Sequence, residues 1–381
     1  MTGPTIEDAT IADVKARLDD VASGLFEELA SRAPEEHEQD AGPALGALKR
    51  TRATTMLVPT QCGGCGASAA EAVRFQLALG SLAPSAAIAT TMHHYKIAAL
   101  GNVALSGDAN AQAILEDLAD GAKLMASGGA ESTPGRDLRS LGSWAVRTGD
   151  GYLVSGLKRP CSLSTSMDTM SLMVELRSTY GTRQGYAQAF VPAGAKGLER
   201  ERFWQSTVFL AAQSHAVRLS EVRIRQDRVF PLRGDVGLRF ASDCYAYFQL
   251  IISAAYLGVA CCVAGAMSPA KRAGSRAWNA AVERIGELES GVLDAARAVD
   301  DGRPADEVLN LAVRARDAIQ DDLGQVGGRL IQAAGGGTFA RTAFYTTLTG
   351  ALNAIAFHPP QRGAREGSGL EALAPELRNV A

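Results

Sequence analysis

Between residues 125 and 230 the hydrophobic pattern of this chain changes period, and that change limits the fold more than any other feature. Before and after it, apolar residues recur at three- and four-residue spacing. Inside it stand short alternating runs, SWAVRT, YLVSGLK, DTMSLMVELR, GYAQAFVP and HAVRLSEVRI, each bounded by Gly, Pro, Asp or Ser. A helix needs a stripe repeating at about 3.6 residues, whereas a half-buried strand alternates at two. The reading is therefore α+β: an N-terminal helical domain over 1–124, a β-barrel-like central domain over 125–232 and a C-terminal four-helix bundle over 233–381.

The flanks supply the helices. IADVKARLDDVASGLFEELASRA and ASAAEAVRFQLALGSLA carry the helical period, Pro84 opens another helix, and AQAILEDLADGAKL follows. After residue 233 come DCYAYFQLIISAAYLGVACCVAGAM, SRAWNAAVERIGELESGVLDAARAV and ADEVLNLAVRARDAIQDDLGQVGGRLIQAA. The run from Thr338 to Phe357 is read as a fourth helix, stopped by His358-Pro359-Pro360, with His358 as its cap. Four amphipathic helices of similar length pack most simply as a bundle. The apolar run Leu250 to Met267 is marginal in length for a membrane span and rich in small residues, so it reads as a core helix.

A formal charge of −3, with no Lys/Arg-rich run, argues against a nucleic-acid partner. The N-terminus is polar and acidic and lacks an export h-region, so the expected location is cytoplasmic, with reduced cysteines. Cys62 and Cys65 form a lone CxxC. A zinc site takes about four ligands; no second CxxC or HxxxH follows, so no metal is expected and the motif reads as a glycine-rich turn. No Gly-x-Ser-x-Gly elbow occurs, which argues against a hydrolase.

The stretch Ser127 to Asp168 carries the chemistry. SGGAESTPGRDL is a loop with one glutamate; TGDGYLVSGLKRPCSLSTSMD is a turn, an alternating strand and a run of hydroxyls. Such loops place backbone N–H groups and hydroxyls around a ligand. The arrangement resembles the middle domain of the acyl-CoA dehydrogenase superfamily, in which these two segments hold a flavin, and the resemblance extends over roughly Thr55 to Pro360. It implies FAD, or reduced FMN or FAD supplied by a reductase. Aligning Gly135-Arg136-Asp137 with the family's Gly-Ser-Asp puts Glu131 on its glutamate and Ala130 where a threonine is usual. Gly156-Leu157-Lys158 matches the family's Gly-x-Lys, and Ser162 then falls on the hydroxyl near flavin N5. Ser214 occupies a family serine, although the Gly-x-Arg before it reads Ala211-Ala212-Gln213. Gln332 to Phe339 resembles the family's Gln-x-x-Gly-Gly-x-Gly, which implies that Gln332, Gly335 and Gly336 approach the flavin of a neighbouring subunit in a homodimer or homotetramer. Arg272 stands in for a family arginine whose Phe-Gly is absent. His93 and His94 are suggestive, but neighbours on a helix point about 100° apart, so at most one faces a pocket; a core or surface histidine is the plainer alternative.

The dehydrogenase base is missing. Thr338 to Arg365 contains no acidic residue, and Phe248 occupies the alternative position on the first C-terminal helix, with Asp243 an imperfect stand-in. Three readings remain: a flavin oxidoreductase acting on an acyl thioester or related small substrate, a flavin monooxygenase in which His93 or His94 and Ser162 steady the activated oxygen, and a scaffold that has lost flavin.

Overall fold

The computed structural model describes residues 24–131 and 141–358. The helix expected over IADVKARLDDVASGLFEELASRA lies partly outside that range; its described part is α1 (Leu25–Ala30), entered through Gly24 at φ 76°, a left-handed value that suits glycine. Short helices α2 (Pro34–Gln39) and α3 (Gly42–Arg50) precede α4 (Ala69–Leu82), α5 (Pro84–Leu105) and α6 (Ala109–Asp120). Ser68 and Glu71 close a reciprocal capping box at the start of α4. The CxxC lies in the turn before it, with Cys62 buried and both thiols free.

Eight strands follow: β1 (Met125–Gly128), β2 (Trp144–Thr148), β3 (Gly151–Cys161), β4 (Thr169–Arg177), β5 (Arg183–Pro192), β6 (Leu198–Glu201), β7 (His215–Arg225) and β8 (Val229–Leu232). They form one sheet in the order β6-β7-β3-β2-β4-β5-β8, with β1 added parallel to β4. All five runs singled out above are strands of this sheet.

The C-terminal half holds three long helices: α7 (Gly234–Gly265), α9 (Arg276–Asp300) and α10 (Ala305–Ala334), with the short α8 (Pro269–Arg272) between the first two. The single fourth helix expected over Thr338–Phe357 is instead broken into α11 (Gly336–Arg341), α12 (Ala343–Ala351) and a 3-10 turn, Leu352–Phe357. Two glycines open α11, where helix formation is costly, and Thr342 is extended at φ −123° and ψ 89°, which ends it. The bundle fills out with α4 and α5, which pack along α7. The α4–α7 crossing is close: a Cβ on Gly258 would sit 2.3 Å from the Leu77 carbonyl oxygen, and one on Gly80 2.7 Å from that of Ala255. Helix α7 is long and apolar enough to cross a membrane, but 94% of its apolar window is buried inside the fold, as the core-helix reading expects.

Elements distant in sequence are tied by polar clamps, between the helical and β parts and between helices. Asp168 accepts from Lys49 Nζ at 2.8 Å and from Leu124 N at 2.7 Å. Asp300, at the end of α9, accepts from Ala69 N and Ala70 N at 2.7 and 3.0 Å, the exposed donors of α4. Replacing Asp300 by alanine is expected to cost about 1 kcal/mol, as loss of an N-terminal cap does; a urea midpoint equal to that of the parent would show that this clamp contributes nothing.

Candidate functional site

The site is assembled where the ends of β1 and β3 meet α5, α7 and the loop before β7. Strand β3 carries Lys158 in its interior rather than opening with it, and the Lys158 side chain is 1% exposed. Its ammonium donates to Glu131 Oε1 at 2.6 Å. The same carboxylate accepts from Gly142 N at 2.6 Å, Ser143 N at 3.1 Å and Ser143 Oγ at 2.9 Å. Burial pushes the Glu131 carboxyl up, but the Lys158 charge and these donors outweigh it and hold the group below the usual carboxylate range. Burial also lowers the Lys158 ammonium, against the pull of Glu131. Glu131 was expected beside a flavin; its carboxylate is turned to join the two ends of the segment 132–140 because a buried lysine requires an acceptor. Gly135-Arg136-Asp137 lies outside the described residues. Ala130 contributes through its backbone, accepting from Arg159 N at 3.0 Å.

At the end of β3, half-buried Ser162 shares a hydrogen bond of 3.0 Å with Ser214. The two loops that carry them are interlocked: Leu163 N donates to Ala212 O at 3.0 Å, Ser164 Oγ to Gln213 O at 2.6 Å and Gln213 Nε2 to Ser166 Oγ at 2.8 Å. Leu163, Phe209 and Gln213 all hold left-handed backbone, with φ of 64°, 51° and 58°. Such conformations cost free energy in non-glycine residues and collect at ligand sites. Gln213 Oε1 is buried without a hydrogen-bond partner among the described atoms, and the Arg159 guanidinium stacks over Phe203 at 5.7 Å. Paired hydroxyls, an unused acceptor and a cation at a sheet end suit a polar heteroaromatic ring system, and these residues fit the flavin implied by the sequence.

His93 and His94 are both buried in α5. His93 Nδ1 accepts from Met125 N at 3.0 Å and its Nε2 lies 2.7 Å from Thr54 O, which fixes the Nε2–H tautomer. The expected catalytic role for His93 is corrected: both ring nitrogens are occupied by main chain, and burial lowers its pKa to about 4, so it is a neutral tie between α5 and β1. His94 Nδ1 bonds Gln76 Oε1 at 3.1 Å and its ring packs edge-on against Phe75 and His93, within the helical core.

A wall of aromatic side chains stands in the position the sequence left open. The Tyr95 hydroxyl bonds Ser127 Oγ at 2.5 Å, and its ring meets Phe248 edge-on at 5.3 Å. Phe248 packs on His358 at 6.2 Å, His358 on Tyr256 at 5.6 Å and Tyr256 on Phe209 at 5.7 Å. Phe209 belongs to the same loop as Gln213 and Ser214, and Ser127 O accepts from the Cys161 thiol next to Ser162. Ser162 and the wall therefore bound one region. His358 is more than a helix end: its Nε2 bonds the Tyr256 hydroxyl at 3.0 Å, its carbonyl accepts from fully buried Arg316 at 2.9 Å, and burial followed by the Arg316 charge lowers its pKa to about 3. Asp243, considered as a stand-in base, accepts instead from Asn102 Nδ2 at 2.9 Å and lies 3.7 Å from Arg239. Sequence reasoning missed Tyr95, Phe209 and Tyr256; the aromatic positions along α5 and α7 signalled Tyr95 and Tyr256, whereas Phe209 lies in the loop before β7.

The remaining candidates form a second locus. Arg272 donates to Met267 O at 2.7 Å and to Gly265 O, capping the end of α7. Lys271 bridges Ala334 O and Thr338 Oγ1, bringing this turn against the end of α10, where Gln332 and Gly336 are exposed and Gly335 holds φ 76°. Among the described residues, no hydrogen bond joins Arg272, Gln332, Gly335 or Gly336 to the Ser162 region. Among the described residues no group of three His, Cys, Asp or Glu is arranged to hold a metal.

Comparison with known proteins adds the following. No protein-family model matches the chain. It is 33% identical to an isobutylamine N-hydroxylase of Streptomyces viridifaciens over 350 residues, 89% of this chain and 91% of that protein. Its fold matches FMN-bound TdsC from Paenibacillus sp. A11-2 with a TM-score of 0.80 and 18% identity, over 96% of this chain and 100% of that one. It also matches KijD3 in complex with FMN and dTDP-3-amino-2,3,6-trideoxy-4-keto-3-methyl-D-glucose, with a TM-score of 0.76 and 18% identity, over 97% and 95% of the two chains.

Proposed function

This chain belongs to the acyl-CoA dehydrogenase superfamily of flavin enzymes, and we propose that within it the chain is a flavin-dependent monooxygenase that N-hydroxylates a small amine. The observation that carries the reading is Phe248. Where a dehydrogenase of this superfamily needs a carboxylate to remove a proton alpha to a thioester, Phe248 is 8% exposed between Tyr95 and His358. An apolar wall cannot abstract a proton, but it can exclude water from a reactive oxygen species. The amine hydroxylase relative and the amino-sugar complex of KijD3 favour an amine as the acceptor. The FMN complexes favour FMN over FAD; a separate reductase would deliver it reduced.

Overall, the amine, dioxygen, two electrons and two protons give the hydroxylamine and water. A bound reduced flavin supplies the two electrons and the means of activating dioxygen. Ser162 and Ser214, hydrogen-bonded to each other, would hold the flavin through their hydroxyls, and the Phe209 loop sets their spacing. Tyr95, Phe248 and Tyr256 close the substrate side to water. His358 remains neutral at ordinary pH because its pKa is lowered to about 3. It therefore adds no positive charge against the amine, whose nitrogen must be uncharged to react. Its bond to the Tyr256 hydroxyl holds that proton at a defined place, and burial raises the phenol above its usual value.

Supplying the protein with NAD(P)H, a flavin reductase, FMN and an alkylamine in air should give a product one oxygen atom heavier, detected by mass spectrometry. Anaerobic bleaching of bound flavin by an acyl-CoA, with no oxygenated amine, would overturn the reading. Ser162→Ala should lower kcat/KM by about tenfold or more while leaving the melting temperature close to the parent's, since only one polar contact is lost. Equal turnover in the variant removes Ser162 from the site.

A further inference from the structure

Behind the aromatic wall, between α5 and α7, the structure holds a lysine with no anionic partner among the described residues. Lys96 follows Tyr95 on α5. Its Nζ reaches only Gln188 Oε1 at 3.4 Å and Cys244 Sγ at 3.7 Å, and it lies over the rings of Tyr95 and Phe240 at 5.3 and 5.1 Å. Gln188 is held in place by its own donation to Ser171 Oγ at 2.6 Å, which turns its acceptor toward Lys96. The Cys244 thiol, pushed by burial to about 11, stays protonated and brings no charge. An enclosed ammonium is costly unless it is paired, and two ring faces return only part of that cost. Burial works against the Lys96 charge, but its contacts with Cys244 and Tyr95 outweigh it and keep the group charged, its pKa raised; neither neighbour supplies a formal anion. Yet Lys96 keeps some accessible surface although its contacts lie on β5 and α7, so its ammonium is not sealed in the core.

Lys96 adjoins the wall. Cys244 lies four residues before Phe248 on α7, on the same face and about 6 Å along the axis. Tyr95 touches both Phe248 and the Lys96 ammonium. We propose that Lys96 pairs with an anionic group on the substrate, so that the preferred substrates are short amines carrying a carboxylate at the end remote from the nitrogen. A short substrate lying along the Tyr95–Phe248 edge of the wall would turn its amine to the Ser162 side and its carboxylate to Lys96. The other ionised groups around this space are spoken for: Glu131 by Lys158, and Asp243 by Asn102 and Arg239. The site thus offers a cation to an acid and no anion to an ammonium.

This inference rests on the amine-hydroxylation reading, and the test separates the two. Butyrate, which has no amine, serves as a probe of the anion site alone. By calorimetry the intact protein should bind it, Lys96→Met should bind it about tenfold or more weakly, and Lys96→Arg, which keeps the charge, should recover part of the loss. In turnover, the parent should favour γ-aminobutyrate over butylamine, and Lys96→Met should shrink that ratio about tenfold or more through KM. Butyrate binding that is absent, or equal in parent and Lys96→Met, overturns the proposal even where butylamine is hydroxylated well. Lys96-dependent butyrate binding in a protein that hydroxylates neither amine supports the anion site and sinks the amine reading instead.

Discussion

Replacing Lys158 by methionine is expected to destabilise the protein by about 3–5 kcal/mol, the cost of leaving a mostly buried carboxylate without its counter-charge. The Lys158 and Glu131 side chains are 1% and 11% exposed, and the two groups lie 2.6 Å apart. The loss should not stop at stability, because Glu131 also holds Gly142 and Ser143, and through them the two ends of the segment 132–140. Flavin affinity should therefore fall with it. The companion change Glu131→Gln removes the orphaned charge, so the double variant should recover a large part of what Lys158→Met loses. Denaturant titration of the three variants measures this directly; a single-variant loss within about 1 kcal/mol would mean that the pair is solvated in solution.

The second large effect is acid lability. His93 and His94 are each 1% exposed, and burial holds His93 at about 4 and His94 well below its usual value of 6.5. Folded, both are neutral; unfolded, both take up protons below about pH 6.5. The unfolded state therefore gains as pH falls. The stabilising contribution is complete above about 6.5 and is lost on the way down, the His93 share being gone by about 4. Each histidine accounts for about 1.4 kcal/mol per pH unit within that window, or about 3 kcal/mol per unit for the pair. Glu38 and Asp243, whose carboxyls burial raises, act in the opposite sense just above their ordinary values, within the same window. Stability measured at pH 7.5 and pH 5 should differ by several kcal/mol, and His94→Gln should flatten the dependence although it weakens the protein at neutral pH. A flat profile in the parent would show that the histidines open to water before the fold does.

The same residues mark how far the sequence reaches. Strand-length alternation placed the runs of the sheet, and the three- and four-residue spacing placed the helices, because those periods follow from backbone geometry within a few residues. The placing of Phe248 at the position of a base came from matching AYLG to the family pattern, a local match along one helix. The same logic overran at Thr338–Phe357, where periodicity continued through glycines and an extended threonine that interrupt the helix.

What tertiary structure alone decided was the employment of each polar group. His93 is 39 residues from Thr54 and 32 from Met125, yet these contacts take both of its nitrogens. Glu131 is bound to a lysine 27 residues on, and His358 to a tyrosine 102 residues back. Local sequence fixes whether a segment is helix or strand, because the relevant forces act over one or two turns. It does not fix which acceptor a buried donor finds, since that partner is delivered by packing between elements, and a group already satisfied by the fold is not free for chemistry.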